Sequence, residues 1–251
     1  MPLNKISPEI PSPKDMRPIC ATQCLFKLIE ARFTYKLYNA YENLPNKISK
    51  AQVGFMPSMN TQVNLLRLFE SVRKTFSSWP EKIPFVPAES QCTGDQHTGF
   101  SSALLFIDYQ AAYNSIDRKR LFDEIKKRNI LNKDEADFLL WLYSNQSIKL
   151  ENSEVTTKFG VPQGGINSPI LFNFCMYFML EELLPKSQEI ANIHLNRNSS
   201  IRDSIVPSIE NTFIFADDLA FHLYGPTKSN ALQIYFKKFI ILLRDESKSG
   251  A

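Results

Sequence analysis

Glycine is scarce in this chain of 251 residues: there are eight, three of them inside one ten-residue stretch. Cysteine is scarcer, with four (Cys20, Cys24, Cys92 and Cys175). Their spacing has no paired metal pattern, and Cys20 and Cys24 stand one helical turn apart with no histidine nearby. A structural zinc framework is therefore not expected; buried thiols in a reducing compartment are. No hydrophobic run is long enough to cross a bilayer. The most apolar one, Ile170 to Leu184, is too short and carries Glu181 and Glu182 at its end. The opening Met1-Pro-Leu-Asn-Lys5 lacks the apolar core of a signal peptide. No internal repeat is visible. A net charge of +3 is too small to imply a nucleic-acid partner by itself.

What is present reads as an ordinary folded chain, with 43% hydrophobic and 22% charged residues. Positive charge gathers at the start: residues 1–50 hold eight Lys and Arg against four Asp and Glu, whereas residues 151–200 hold three against five. Apolar spacing predicts a helix over 20–45 and another from Thr61 to Ser77. Pro80, Pro84, Pro87, Gly94 and Gly99 make 78–100 a linker and the main boundary. Beyond it the pattern predicts a buried strand at Ser102–Ile107, a helix capped by Asp117, a helix over about Lys133–Ser144, and a small hairpin from Lys149–Leu150 and Val155–Phe159. The run from Ile170 is apolar on nearly every face, the mark of a helix buried on all sides. Residues 186–210 read as a polar surface excursion. Strands at Thr212–Phe215 and Leu219–Tyr224 and a helix over about Ser229–Leu243 complete the pattern.

Three stretches carry the chemistry. Leu105-Phe-Ile-Asp-Tyr-Gln-Ala-Ala-Tyr113 ends an apolar strand in one aspartate. Phe213-Ile-Phe-Ala-Asp-Asp-Leu-Ala-Phe221 turns over on an aspartate pair. If the two strands are neighbours, Asp108, Asp217 and Asp218 converge, and divalent cations convert their repulsion into attraction. Hard oxygen donors suit Mg2+, and two such ions roughly 3.5–4 Å apart can drive an in-line phosphoryl transfer. Taken singly, an Asp pair is also a normal turn choice and a lone Asp a normal helix cap. Between them Gly160-Val-Pro-Gln-Gly-Gly-Ile-Asn-Ser-Pro169 offers a backbone that a base or sugar can approach closely, with the donor and acceptor groups of Gln163 alongside. Its Ser168-Pro169 starts the buried helix.

In this order the three stretches resemble motifs A, B and C of reverse transcriptases. Gln52-Val-Gly-Phe-Met-Pro57 resembles a finger segment of non-LTR (LINE-type) retrotransposon enzymes. Arg17-Pro-Ile19 is similar to the start of the finger region in LINE-type and group II intron enzymes. The resemblance implies an α/β fold, a right-hand polymerase core with helical fingers (1–95) and a palm on a small antiparallel sheet (96–251), the thumb being absent from this stretch. It implies an RNA-directed DNA polymerase that uses two Mg2+ ions, with Mn2+ as a substitute, an RNA template, a DNA primer and deoxynucleoside triphosphates. Asp108, Asp217 and Asp218 would be the catalytic and metal-binding carboxylates. Tyr113 would exclude a ribose 2′-hydroxyl, Gln163 and Gly164 would line the incoming nucleotide, and Arg17 would meet its triphosphate. No membrane partner is implied, and the compartment is left open, with nucleus or mitochondrion expected.

The chain departs from the pattern in four places. Met56 stands where many relatives have Arg, and Asn167 replaces the usual Leu before Ser-Pro. Pro11 occupies the place of the finger lysine, for which Lys14 is an imperfect substitute. The chain ends near where motif D should begin. These departures keep a second reading in play: a truncated retroelement remnant or maturase-like domain that binds nucleic acid without polymerising. A palm-fold nucleotide cyclase is a third, in which Tyr113 and the Pro-Gln-Gly loop have no task.

Overall fold

The computed structural model describes residues 2–4, 16–18, 22–45, 47–77, 100–109, 111–150, 153–156, 159–194, 207–226 and 237–241. In chain order they form β1 (Pro2–Asn4), β2 (Met16–Pro18), α1 (Cys24–Glu42), α2 (Thr61–Ser77), β3 (Phe100–Ile107), α3 (Arg118–Lys127), α4 (Lys133–Ser144), β4 (Ser147–Leu150), β5 (Ser153–Thr156), α5 (Ser168–His194), β6 (Thr212–Phe215) and β7 (Asp218–Pro226). Short 3-10 turns occupy Lys47–Lys50 and Ala112–Asn114. Residues 237–241 are helical, and the rest of the helix expected over 229–243 lies outside the described residues. So do the linker over 78–99, Cys20, Cys92 and Lys14. Among the described residues no helix is long and apolar enough to cross a membrane.

Local chemistry sets several boundaries. The Asp117 carboxylate accepts from Arg120 N at 3.1 Å and starts α3. Asn132 and Glu135 form a reciprocal capping box at the start of α4, satisfying two otherwise orphaned amide groups. In α5 the residues Ile170–Phe174, Met176–Phe178, Leu180 and Leu183 are all buried, so the expectation of a helix wrapped by protein holds. The polar excursion expected from 186 is corrected in its first third: α5 continues through Pro185 to His194. Proline removes one intrahelical donor there. Ser187 Oγ donates to Leu184 O at 2.7 Å just beyond the proline. The small hairpin pairs Ser147–Leu150 with Ser153–Thr156, so its second strand lies earlier than the expected Val155–Phe159.

Spatial contacts divide the chain into two compact units, each assembled from separated segments. The first unit comprises 1–50, 109–180 and 247–251. It holds α1, α3, α4 and the apolar first half of α5. Tyr41 meets Phe174 edge-on at 5.2 Å between centroids, and the Arg128 guanidinium lies 4.8 Å over the Phe178 ring. Each fully buried aromatic such as Phe174 contributes about 1.5–3 kcal/mol relative to its exposure. The second unit comprises 51–108 and 181–246. Its centre is an antiparallel sheet of order β3-β7-β6. α2 belongs to this unit, and Asn64 Nδ2 on that helix donates to Ile214 O at 2.8 Å.

Candidate active site

The sheet of the second unit brings the acidic residues together by register alone. β6 and β7 pair through Phe215↔Asp218, leaving Ala216 and Asp217 as a two-residue hairpin loop. Ala216 has φ +56°, a value that short hairpins usually give to glycine. An alanine held there costs about 1–2 kcal/mol. On the other side of β7, β3 pairs down to Ile107↔Leu219. Asp108 follows directly, one position beyond that pair and beside Asp218. Both side chains line one cleft of about 410 Å³, together with Phe106, Phe213, Phe215 and Leu65.

The electrostatics agree with this placement. Burial, then the charges of Asp217 and Asp108, raise the Asp218 carboxyl above its ordinary value. The Asp218 carboxyl therefore feels the two neighbouring acidic charges as well as its burial. Among the described residues no group of three or more His, Cys, Asp or Glu is arranged to hold a metal ion. The two facts are compatible. The register fixes the backbone positions of the carboxylates, and a divalent cation would turn repulsion between such charges into attraction. An all-oxygen donor set of this kind suits Mg2+ or Mn2+.

β6 is the edge strand of the sheet, and its free edge is covered by the Gln52-Val-Gly-Phe segment. Val53 N donates to Ile214 O at 3.0 Å and Ile214 N to Ala51 O at 3.1 Å, a parallel bridge centred on Gln52. The Arg67 guanidinium lies 5.5 Å over the Phe213 ring. The strand that delivers Asp217 is thereby paired on both sides.

The glycine-rich loop belongs to the first unit and is tied down at both ends. At its start Gly160 N donates to Ile116 O at 2.7 Å and Val161 N to Tyr113 O at 3.0 Å. Gly160 has φ +84°, and a Cβ there would lie 2.8 Å from Asn114 Cα. The Tyr113 ring stacks on Phe172 at 4.8 Å with planes 3° apart. Tyr113 and the loop are thus one assembly. Arg118, 3% exposed, donates to Tyr143 O and, at 2.8 Å, to Phe159 O just before the loop. At the far end Ile166 N donates to Glu30 Oε2 at 2.9 Å. Between these anchors Gly164 has φ +108° and is exposed, and Gln163 is half-buried.

A family profile described as reverse transcriptase (RNA-dependent DNA polymerase) matches residues 4–245. The chain belongs to this family. Its palm-and-fingers polymerase core, with a small antiparallel sheet, is the architecture the motifs implied. No curated protein matches the sequence. Among solved structures, apo telomerase from Candida tropicalis, truncated from its C-terminal domain, is similar over 87% of this chain and 38% of that chain, with 12% identity and a TM-score of 0.43. This reverse transcriptase chain thus spans well under half the length of that relative.

Of the residues expected at the site, Asp108 and Asp218 line one cleft in the second unit, and Asp217 lies in the adjoining hairpin loop. Tyr113, Gln163 and Gly164 sit together in the first. Arg17 lies in β2, opposite Leu3 of β1. Several buried polar residues escaped the sequence reading, among them Arg118 at the loop start, Glu30 and, in its side-chain role, Gln52. Glu30, 0% exposed, carries the far anchor of the loop, and its signal was an acid on the α1 stripe shared with Leu37 and Tyr41. Gln52, 2% exposed, lies in a quoted motif whose local pattern does not reveal what its side chain meets.

Proposed function

We propose that this reverse transcriptase chain is an RNA-directed DNA polymerase of the non-LTR (LINE-type) or group II intron kind, extending a DNA primer on an RNA template with deoxynucleoside triphosphates. The fingers portion is residues 1–95 and the palm portion 96–251. Asp108, Asp217 and Asp218 are the catalytic carboxylates, and their oxygen donors fit a pair of Mg2+ ions. Bound there, the ions would activate the primer 3′-hydroxyl and neutralise the departing pyrophosphate.

The remaining work is positioning by the chain's own groups. Tyr113 blocks the space of a ribose 2′-hydroxyl, and its stacking on Phe172 fixes the ring plane. Gln163 and Gly164 line the nucleotide on the rigidly anchored loop, and Arg17 meets the triphosphate. The observation that carries the reading is the β3–β7–β6 register, which leaves Asp108 beside Asp218 at the hairpin tip.

Asp217→Asn tests it. The substitution should abolish extension of a primed RNA template while the melting curve keeps its midpoint; parent-like extension refutes the assignment. A Mg2+ titration separates the second reading. A non-polymerising, maturase-like remnant binds RNA with no Mg2+-dependent extension at any concentration.

A further inference from the structure

Ala216 stands immediately before Asp217, and its positive φ sets the direction in which the next residue leaves the turn. A side chain from far upstream holds it. Gln52 Nε2 donates to Ala216 O at 3.0 Å, and Ala216 N donates to Gln52 Oε1 at 2.9 Å. The same Oε1 accepts from Gly54 N at 2.8 Å, which fixes the amide itself. One primary amide thus occupies both backbone groups of Ala216, as a neighbouring strand would. Gly54 comes so near that a Cβ on it would lie 2.2 Å from Ala216 N.

We propose that Gln52 is a positioning residue for Asp217, clamping the left-handed backbone of Ala216 and so fixing where the Asp217 carboxylate points. The chemistry of the clamp is specific. Glutamate lacks the donor for Ala216 O, asparagine is one methylene short of spanning both groups, and methionine offers neither bond. Ala216 is only 6% exposed, so a lost clamp strands its N–H and C=O away from water. A different turn, with Asp217 redirected, then relieves both the stranded groups and the backbone strain. A glutamine needed only to fill the core would have no reason to bond both backbone groups of a residue whose φ is unfavourable for its side chain.

The functional half of this inference rests on the catalytic reading of Asp217; the structural half does not. The experiment pairs amide hydrogen exchange at Ala216 with primer extension, in the full chain and in Gln52→Met. The Ala216 amide should be slow in the parent and at least about tenfold faster in the variant, while β6 ladder amides keep their protection. For deoxynucleotide incorporation, kcat should fall by about ten- to a hundredfold with KM held within about threefold, as expected when a group is misplaced by about an ångström. Adding Ala216→Gly should restore part of kcat, because glycine takes positive φ unaided. Unchanged Ala216 exchange, unchanged kcat, or no recovery with Ala216→Gly would each overturn the clamp. Should Gln52→Met not fold, the parent decides: an Ala216 amide exchanging like an open turn overturns the proposal, and a protected one upholds it. A parent without extension activity would sink the polymerase reading and leave exchange to judge the clamp.

Discussion

Tyr143 on α4 donates its phenolic hydrogen to the carboxylate of Glu30 on α1, and both residues are 0% exposed. Burial, then the Glu30 charge, raise the Tyr143 hydroxyl well above its ordinary value, so it remains a donor. Its carbonyl accepts from Arg118, and the other Glu30 oxygen accepts from Ile166 N. A single chain of polar groups thus links the two ends of the glycine loop.

Glu30→Ala should therefore destabilise the protein by about 2–4 kcal/mol, since the buried Tyr143 hydroxyl and the Ile166 N–H lose their acceptor and a cavity opens. Glu30→Gln keeps the volume and most of the bonding and should cost about 1 kcal/mol. Urea unfolding followed by far-ultraviolet dichroism measures both. Equal midpoints for the alanine variant and the parent would show that the network carries no net stability.

Asn167→Leu introduces the residue that related enzymes usually carry, yet it should destabilise by about 1–2 kcal/mol. Asn167 is 0% exposed; its Nδ2 donates to Glu30 O at 2.8 Å and its Oδ1 accepts from Thr34 Oγ1 at 2.8 Å. Leucine removes both bonds, leaving the 3.2 Å bond from Thr34 Oγ1 to Glu30 O. Pairing the change with Thr34→Val should recover part of the loss in a double-mutant cycle.

Gly160→Ala combines two penalties, a backbone at φ +84° and a Cβ pressed 2.8 Å from Asn114 Cα. The contacted atom is main chain and cannot swing aside. A loss of about 2–4 kcal/mol is expected, with faster exchange of the Val161 amide. A shift of less than about 0.5 kcal/mol would mean that the loop start adapts freely.

His222 gives the sheet unit an acid sensitivity of its own. The residue is 0% exposed, its Nδ1 lies 2.7 Å from Ser71 Oγ, and burial lowers its pKa below the ordinary value. The native state then holds a neutral ring, while the unfolded chain takes up a proton below about pH 6.5. Stability is full above that pH and falls as the pH drops toward the lowered native value. His222→Gln should flatten the unfolding midpoint between about pH 7 and 5.5, where most carboxylates are still ionised. An equally steep dependence in the variant would assign the sensitivity elsewhere.

Much of the fold is local in origin and could be read from the sequence. α2 and α4 lie where apolar spacing placed them, and Asp117 caps α3 as its side chain suggests. The strand–aspartate and aspartate-pair patterns made Asp108 and Asp218 neighbours only if their strands pair, and the β3–β7 register supplies that pairing. What escaped is tertiary. Pro185 looks like a stop, but α5 runs through it with Leu183 and Ser187 fully buried on either side, and burial outweighs one lost donor. Glu30 and Gln52 act on backbone atoms more than a hundred positions away, and no periodicity encodes such a partner.

The edge segment 51–54 can complete its pairing only after β6 and the turn at Ala216 have been made. During synthesis Gln52 leaves the ribosome 164 positions ahead of Ala216, whose backbone completes its bonding. At about 5–20 residues per second, that wait lasts on the order of ten seconds or more. For that interval the segment is an exposed half-strand awaiting its edge, and a nascent chain stalled before Asp218 would display it to chaperones or to other copies.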